Sequence, residues 1–438
     1  MDNFSDTYTA QSSEDASSDA VAATQKPQRH YLSFTGSGGE YFKIWIVNIL
    51  LTIITLGIYS AWAKVRTNQY FYGNTILDNA SFQYLAKSLN ILKGRIIAVT
   101  VLIVYSVIQN IYIDYAPYAF IVLMCLVPGM IVLAMSFRLR NTAYRNITFH
   151  FDRDFKKAYL LFAIPVILLA VAFIPQMSAM NEYTQQTALV DEYNVALEDA
   201  WNNDGEISPS EGEQLDRMVA EHQLVLDTEG FAVAPELPVE KAWFGLVMLV
   251  IMFLYPIWER VFTRFKVNSS QFGRSAFHFD ASTWQFYKMY LLATGIVIGL
   301  SIFVGLMSGV ISSITGNPFI TGVITGLLLM PVYMFMYAFI QVYKHNLMVN
   351  NSTLGDAKLV SELDPIALTW IYLSNTLIVI LSAGLATPWA AVRVAAYKAE
   401  KTSIFTSSPL TQYVAKEEDQ RSALGEEMGE AFDLDLGF

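Results

Sequence analysis

"NILLTIITLGIYSAWAKVR", residues 48–66, begins as a membrane helix and ends as something else. Its apolar run is interrupted by a Thr-Leu-Gly step at 55–57 and closes on Trp62, Lys64 and Arg66. The segment either crosses a bilayer or dips in and returns. The choice fixes which side of the membrane each end of the chain occupies.

The surrounding chain is that of a polytopic membrane protein. Of 438 residues, 54% are hydrophobic and 15% charged, against roughly a quarter charged in a soluble domain. Residues 44–63, 96–113, 117–137, 158–181, 242–258, 289–343 and 365–392 carry no Asp, Glu, Lys or Arg. A span needs about 20 apolar residues. The run 289–343 is therefore long enough for two, parted by the Gly and Pro of "SSITGNP" at 312–318. The one cysteine, Cys125, lies in an apolar run, which excludes a disulfide framework within the chain. Residues 1–38 have no basic n-region or apolar h-region and read as a disordered tail.

Charge assigns the sides. Residues 64–95 hold five Lys/Arg against Asp78, residues 138–157 hold six Lys/Arg, and residues 259–288 hold five. Residues 182–240 hold fifteen Asp/Glu against Arg217. Lys and Arg near span ends stay cytoplasmic, so the basic connections are expected inside and the acidic segment, 177–241, outside. If 44–63 and 365–392 both re-enter, six full spans remain and both termini are cytoplasmic. The membrane domain then comprises 39–176 and 242–405, with an acidic cytoplasmic tail at 406–438.

Two kinds of internal similarity favour re-entry. Asn48, Gly57, Trp62 and Arg66 match Asn375, Gly384, Trp389 and Arg393 at a constant offset, N-x8-G-x4-W-x3-R. "NTILDNASFQY" (74–84) resembles "NTAYRNITFHF" (141–151), with looser copies in "SSQFGRSAFHF" (269–279) and "NLMVNNSTLGD" (346–356). Alternation such as Phe149-His150-Phe151 is a strand signal. The expected fold is thus an all-α polytopic membrane protein. It is built of quasi-repeated helical hairpins, each followed by a short cytoplasmic strand, with an acidic periplasmic helical insertion. The strands could pair into a small sheet.

The stretches "GEYFKIWIVNILLTIITLGIYSAWAKVR" (39–66), "YFYGNT" (70–75) and "ALGEEMGEAFDLDLGF" (423–438) resemble the YjgN family of bacterial inner-membrane proteins. The resemblance implies a multi-pass protein of a Gram-negative inner membrane. It brings no catalytic residues.

Candidate sites follow from polar groups in apolar settings. Asn48 and Asn375 are costly in lipid unless paired. Beside the breaks at Gly57 and Gly384 they are either pore contacts or structural hydrogen bonds. Trp62, Lys64, Arg66, Trp389 and Arg393 read as interface anchors. His150 and Asp152, with His278 and Asp280, could form a metal or proton-relay cluster, or a solvated sheet face. "AWNNDGEISPSE" (200–211) offers Asn202, Asp204 and Glu211 to calcium but has Ala200 where a calcium loop needs its first Asp. The alternative is a helix–turn–helix with Pro209 in the first turn of the second helix. No other cofactor is indicated.

Enzyme motifs such as H-E-x-x-H, the P-loop and G-x-S-x-G are absent, and nothing suggests nucleic acid. The lipid bilayer is the expected partner, and the apolar–acidic C-terminal peptide could add a strand to a protein partner. The expected function is transport, or a channel, for a small solute or lipid. The alternative is a membrane scaffold or regulator of a partner protein.

Overall fold

The computed structural model describes residues 28–112, 115–204, 208–226, 231–233 and 241–406. It is 73% helical. The elements run β1 (Gln28–Phe34), α1 (Gly38–Ile54), α2 (Ser60–Gly73), β2 (Thr75–Leu77), β3 (Ala80–Tyr84), α3 (Ser88–Ile111), α4 (Ala116–Arg140), β4 (Thr142–Tyr144) and β5 (Ile147–Phe151). They continue as α5 (Phe155–Asp204), α6 (Pro209–His222), α7 (Lys241–Asn268), β6 (Ser270–Phe272), β7 (Ser275–Phe279), α8 (Thr283–Thr315), α9 (Pro318–Asn350), β8 (Ser352–Leu354) and β9 (Ala357–Ser361). The last three are α10 (Pro365–Leu381), α11 (Thr387–Glu400) and β10 (Thr402–Thr406).

Polar residues at helix ends decide where the strands begin. The last carbonyls of a helix lack intrahelical donors, and short side chains supply them here. Asn74 Nδ2 donates to Tyr70 O and Thr75 Oγ1 to Phe71 O, both at 2.8 Å. Asn141 and Thr142 do the same to Phe137 O and Arg138 O. Asn351 and Ser352 do it to Leu347 O and Met348 O. Ser270 and Thr402 each donate to the carbonyl four residues back. The chain then extends as a three-residue strand, turns through two residues, and returns as a five-residue strand. In the first two turns both residues have positive φ (Asp78 and Asn79, Arg145 and Asn146). In the last two, Gly273 and Gly355 take it at the first position. Positive φ at these positions marks the primed turns that suit strand twist. The fourth hairpin occupies 351–361, not the 346–356 stretch read from sequence, because Asn346–Asn350 still belong to α9.

The ten strands close into a barrel, each antiparallel to its neighbours, in the order β1-β10-β9-β8-β7-β6-β5-β4-β3-β2. The helical polytopic class thus comes with a barrel that it did not name: the small sheet expected from the strand signals is a ring without edges. Gln28–Phe34, assigned from sequence to the tail, is the strand that closes it, pairing with both β10 and β2. Neighbours in the ring are neighbours in sequence. In such an antiparallel meander, alternate connections fall on opposite rims. The four two-residue turns, the start of β1 and the end of β10 share one rim. The helical connections β1–β2, β3–β4, β5–β6, β7–β8 and β9–β10 all leave from the other and return to it. Residues 48–66 therefore do not carry the chain across to the far side of the barrel. They lie in a hairpin that comes back to the rim it left.

The first and last helical hairpins match in detail. Residues 38–54 and 60–73, moved along by the offset of 327, give 365–381 and 387–400, the bounds of α10 and α11. Gly57 (φ 93°) and Gly384 (φ 90°) follow Leu56 and Ala383, both at φ 50°. Gly57 N donates to Thr52 O at 2.7 Å and Gly384 N to Val379 O at 2.8 Å. A 17-residue helix is about 25 Å long, short of the roughly 30 Å hydrocarbon core. Six other helices are long and apolar enough to span: Ser88–Ile111, Tyr118–Arg140, Phe155–Ala172, Trp243–Asn268, Thr283–Thr315 and Pro318–Asn350. α3 has no buried residue, and α9 buries Ala338, Phe339 and Val342 in its second half.

Residues 162–255 form a second compact unit. α5 runs through residues 176–177 without a break, so the boundary drawn there from charge is not an element boundary. Val190, Tyr193, Leu215 and Ala232 make a core of their own. Asn194 clamps Ala232 by accepting from its N–H at 2.8 Å and donating to its carbonyl at 3.1 Å.

Candidate functional site at the helix–barrel junction

The barrel interior is filled. Leu77, Tyr144, Ile147 and Phe272 are buried there, with Phe82, Phe149 and Phe277 packed against them. Phe149 and Phe272 rings lie 4.8 Å apart, and Phe82 and Tyr144 rings 4.9 Å apart. Tyr144 donates its hydroxyl to Leu77 O at 2.7 Å, so its one polar atom is satisfied. An aromatic plug at this density leaves no aqueous path along the barrel axis.

An open cavity of about 390 Å³ lies where the helix ends meet this plug. Its floor is Phe149, Phe151 and Phe277, and its walls include Tyr72 of α2, Met135 and Leu139 of α4, Val267 of α7, and Met348 and Val349 of α9. Two cations line it, Arg138 and Lys266. Neither side chain makes a hydrogen bond or ion pair among the described residues. Lys344, by contrast, is paired with Glu259 at 2.7 Å, and Tyr290 donates its hydroxyl to the same carboxylate. Thr142, Ser270 and Ser352 also face the cavity, but their protons already go to main-chain carbonyls. Beside it, burial raises the Tyr84 phenol above its ordinary value, opposed by a hydrogen bond to Asn68 and by Arg138. The C-terminal ends of α4, α7 and α9 open into the cavity, each worth about half a negative charge. Part of the reason for Arg138 and Lys266 is to offset these dipoles.

The residues singled out from sequence fall elsewhere. Asn48 and Asn375 are buried in the two short hairpins, and each donates to a backbone carbonyl across its own hairpin: Ala63 O at 3.4 Å, Ala390 O at 3.2 Å. Asn375 Oδ1 accepts from Arg393, whereas Asn48 Oδ1 has no partner among the described residues. Arg66 reaches Tyr59 instead. Trp389 lies over Gly38, where a Cβ would have no room, and against Phe42. It therefore joins the hairpins as well as facing outward. Trp62 stacks on Tyr59, and Lys64 is exposed.

His150 and His278 are exposed, on β5 and β7 with β6 between them. Two strand spacings separate them by about 10 Å. Asp152 and Asp280 are exposed at the strand ends. Of the two readings of these four residues, their exposure accords with the solvated sheet face. Among the described residues no group of three or more His, Cys, Asp or Glu is placed to hold a metal. Asn202 and Asp204 lie in the last turn of α5 and Glu211 in the first turns of α6. Their side chains, and residues 205–207 between them, lie outside the described residues. The C-terminal peptide 423–438 also lies outside the described residues. Arg138 and Lys266 were counted in the basic connections but had no local signature. What marks them is position, four residues before a hydroxyl that caps the helix end.

A family described as "Bacterial protein of unknown function (DUF898)" matches residues 29–431. The chain is 33% identical over 162 residues to "Inner membrane protein YjgN" of Salmonella typhimurium (strain LT2), covering 35% of this chain and 40% of that one. It is 27% identical over 143 residues to the protein of the same name from Escherichia coli O157:H7, covering 32% and 35%. A 55-residue segment is 47% identical to that of Escherichia coli K12, covering 13% and 14%. The matched segments thus span less than half of these relatives. No solved structure matches. The family match takes in the whole barrel except Gln28, together with every helix on its rim, and the chain therefore belongs to the DUF898 family and is a relative of the YjgN inner-membrane proteins.

Proposed function

We propose that this protein is a multi-pass inner-membrane carrier for a small solute or lipid, with its binding site at the helix–barrel junction. The observation that carries the reading is the 390 Å³ cavity, which combines two unpaired cations with apolar walls. That volume is in the range of small-molecule sites. The turn rim holds Arg145 and Arg274, and the helix ends hold Arg138, Arg140 and Lys266. Lys and Arg of this density are retained inside, so in this reading the barrel faces the cytoplasm. The matching bounds of the first and last hairpins support a quasi-repeat, and the packed aromatic interior of the barrel argues against passage along its axis.

The test is reconstitution of the full chain in phosphatidylcholine vesicles carrying a fluorescent lysophospholipid. Dithionite added outside should bleach the inner-leaflet probe faster than in empty vesicles. Leu139→Trp, which fills the cavity, should return the rate to the empty-vesicle value. No acceleration by the wild-type chain would overturn the carrier reading. A scaffold is the second reading. It is favoured by the separate core of residues 162–255, which has no evident role in carrying a solute. It predicts a partner that is lost when residues 182–233 are removed.

A further inference from the structure

The cavity's donors and walls specify its ligand more narrowly than size does. We infer that it takes a single-chain anionic amphiphile, a carboxylate or phosphate head joined to one alkyl chain. The inference rests on the same cavity as the carrier reading and names its substrate class. Three observations point there.

The first is charge. Neither Arg138 nor Lys266 forms an ion pair among the described residues, and Glu259, which acts on Lys266 from beyond ion-pair distance, is already paired with Lys344. The carbonyls of the helix ends they face are already capped by Asn141, Thr142, Ser270, Asn351 and Ser352. The guanidinium and ammonium N–H groups are therefore free to meet an anion, and Arg can do so through two parallel bonds. The second is the shortage of other donors. The hydroxyls of Thr142, Ser270 and Ser352 have spent their protons on the backbone, so a bare polyanion would find two cations and, of the lining hydroxyls, the Tyr72 phenol alone. The third is the wall. Met135, Leu139, Val267 and Met348 offer apolar surface, worth about 0.8 kcal/mol for each methylene a ligand buries. Methionine is flexible enough to suit chains of differing length. A neutral lipid would leave the cations unanswered, and a two-chain phospholipid is larger than the space.

The experiment uses the full chain in phosphatidylcholine nanodiscs and a diazirine-bearing dodecanoate as photoprobe, with labelled residues located by mass spectrometry. Labelling is expected on Met135, Leu139 and Met348. Dodecanoate and dodecyl phosphate should compete; dodecyltrimethylammonium and inorganic phosphate should not. Arg138→Gln with Lys266→Gln should weaken labelling about tenfold or more, since hydrogen bonds to charged groups are the stronger class. The charge-preserving pair Arg138→Lys with Lys266→Arg should largely retain it. Leu139→Trp should abolish labelling with both cations in place, which separates loss of the site from loss of the fold. Competition by inorganic phosphate as strong as by dodecyl phosphate would overturn the amphiphile in favour of a soluble anion. Labelling indifferent to the cations would overturn the inference altogether. The readout is binding, so a chain that labels but moves no lipid contradicts only the carrier reading.

Discussion

Replacing Phe272 by alanine should cost about 3–5 kcal/mol, the usual range for a large aromatic removed from a packed core. Phe272 is 4% exposed at the centre of the barrel. Its ring contacts Phe149 at 4.8 Å and Tyr144 at 6.3 Å. With nine of its ten strands only three or five residues long, the barrel has little ladder of its own. Each hairpin pairs at two positions, and the aromatic plug supplies what so short a ladder cannot. Phe303, on α8, is 55% exposed, and the same substitution there should change stability little, because the ring trades one apolar surrounding for another. Thermal unfolding of both variants in one detergent checks this. Equal midpoints for the two would mean that the barrel interior is not the stabilising core.

Removal of residues 1–34 should have a still larger effect. β1 supplies both closing seams of the ring, Gln28–Tyr31 against β10 and Leu32–Phe34 against β2. Without it two edges are bare. Unpaired strand edges recruit other chains, and each lost hydrogen bond costs about 1 kcal/mol even before the plug is exposed. Arg29 also loses its ion pair with Glu362 at 2.7 Å, though this is partly exposed and worth under about 1 kcal/mol. The truncated chain should aggregate or elute as a broad oligomer on size exclusion. A synthetic peptide of residues 26–37 should restore the monodisperse peak in part, as strand addition does elsewhere. A truncated chain with unchanged profile and stability would show that the ring does not depend on closure.

Much of this architecture is legible in sequence, and the rest is hidden for definite reasons. Hydropathy locates the six spans, because a long uncharged run has few other readings. The N-x8-G-x4-W-x3-R match identifies two hairpins with the same element bounds, the same glycine φ near 90° and the same Asn-to-carbonyl bond, since both are demanding positions; only the Arg partner differs. The hairpin strands are visible where aromatic alternation is strong, at Phe149–Phe151 and Phe277–Phe279. It fails at "AKLVS", 357–361, and the fourth copy is then misplaced by five residues. β1 and β10 are invisible because a five- to seven-residue strand with polar neighbours resembles a tail, and closure is a property of ten strands together. The cavity is hidden for a similar reason. Arg138 and Lys266 are ordinary juxtamembrane cations until the barrel brings α4, α7 and α9 to one point. The His and Asp pairs mislead in the opposite way: alternation correctly turns His150 and His278 outward, but an intervening strand keeps them apart.

Single cysteines at Asn79, Asn146, Arg274 and Asp356, introduced with Cys125→Ala, place one reporter in each two-residue turn. If every helical connection leaves from and returns to one rim, a membrane-impermeant maleimide should label all four in inverted vesicles and none in intact cells. One turn labelled from outside while the other three stay protected would break the common rim and contradict the closed barrel.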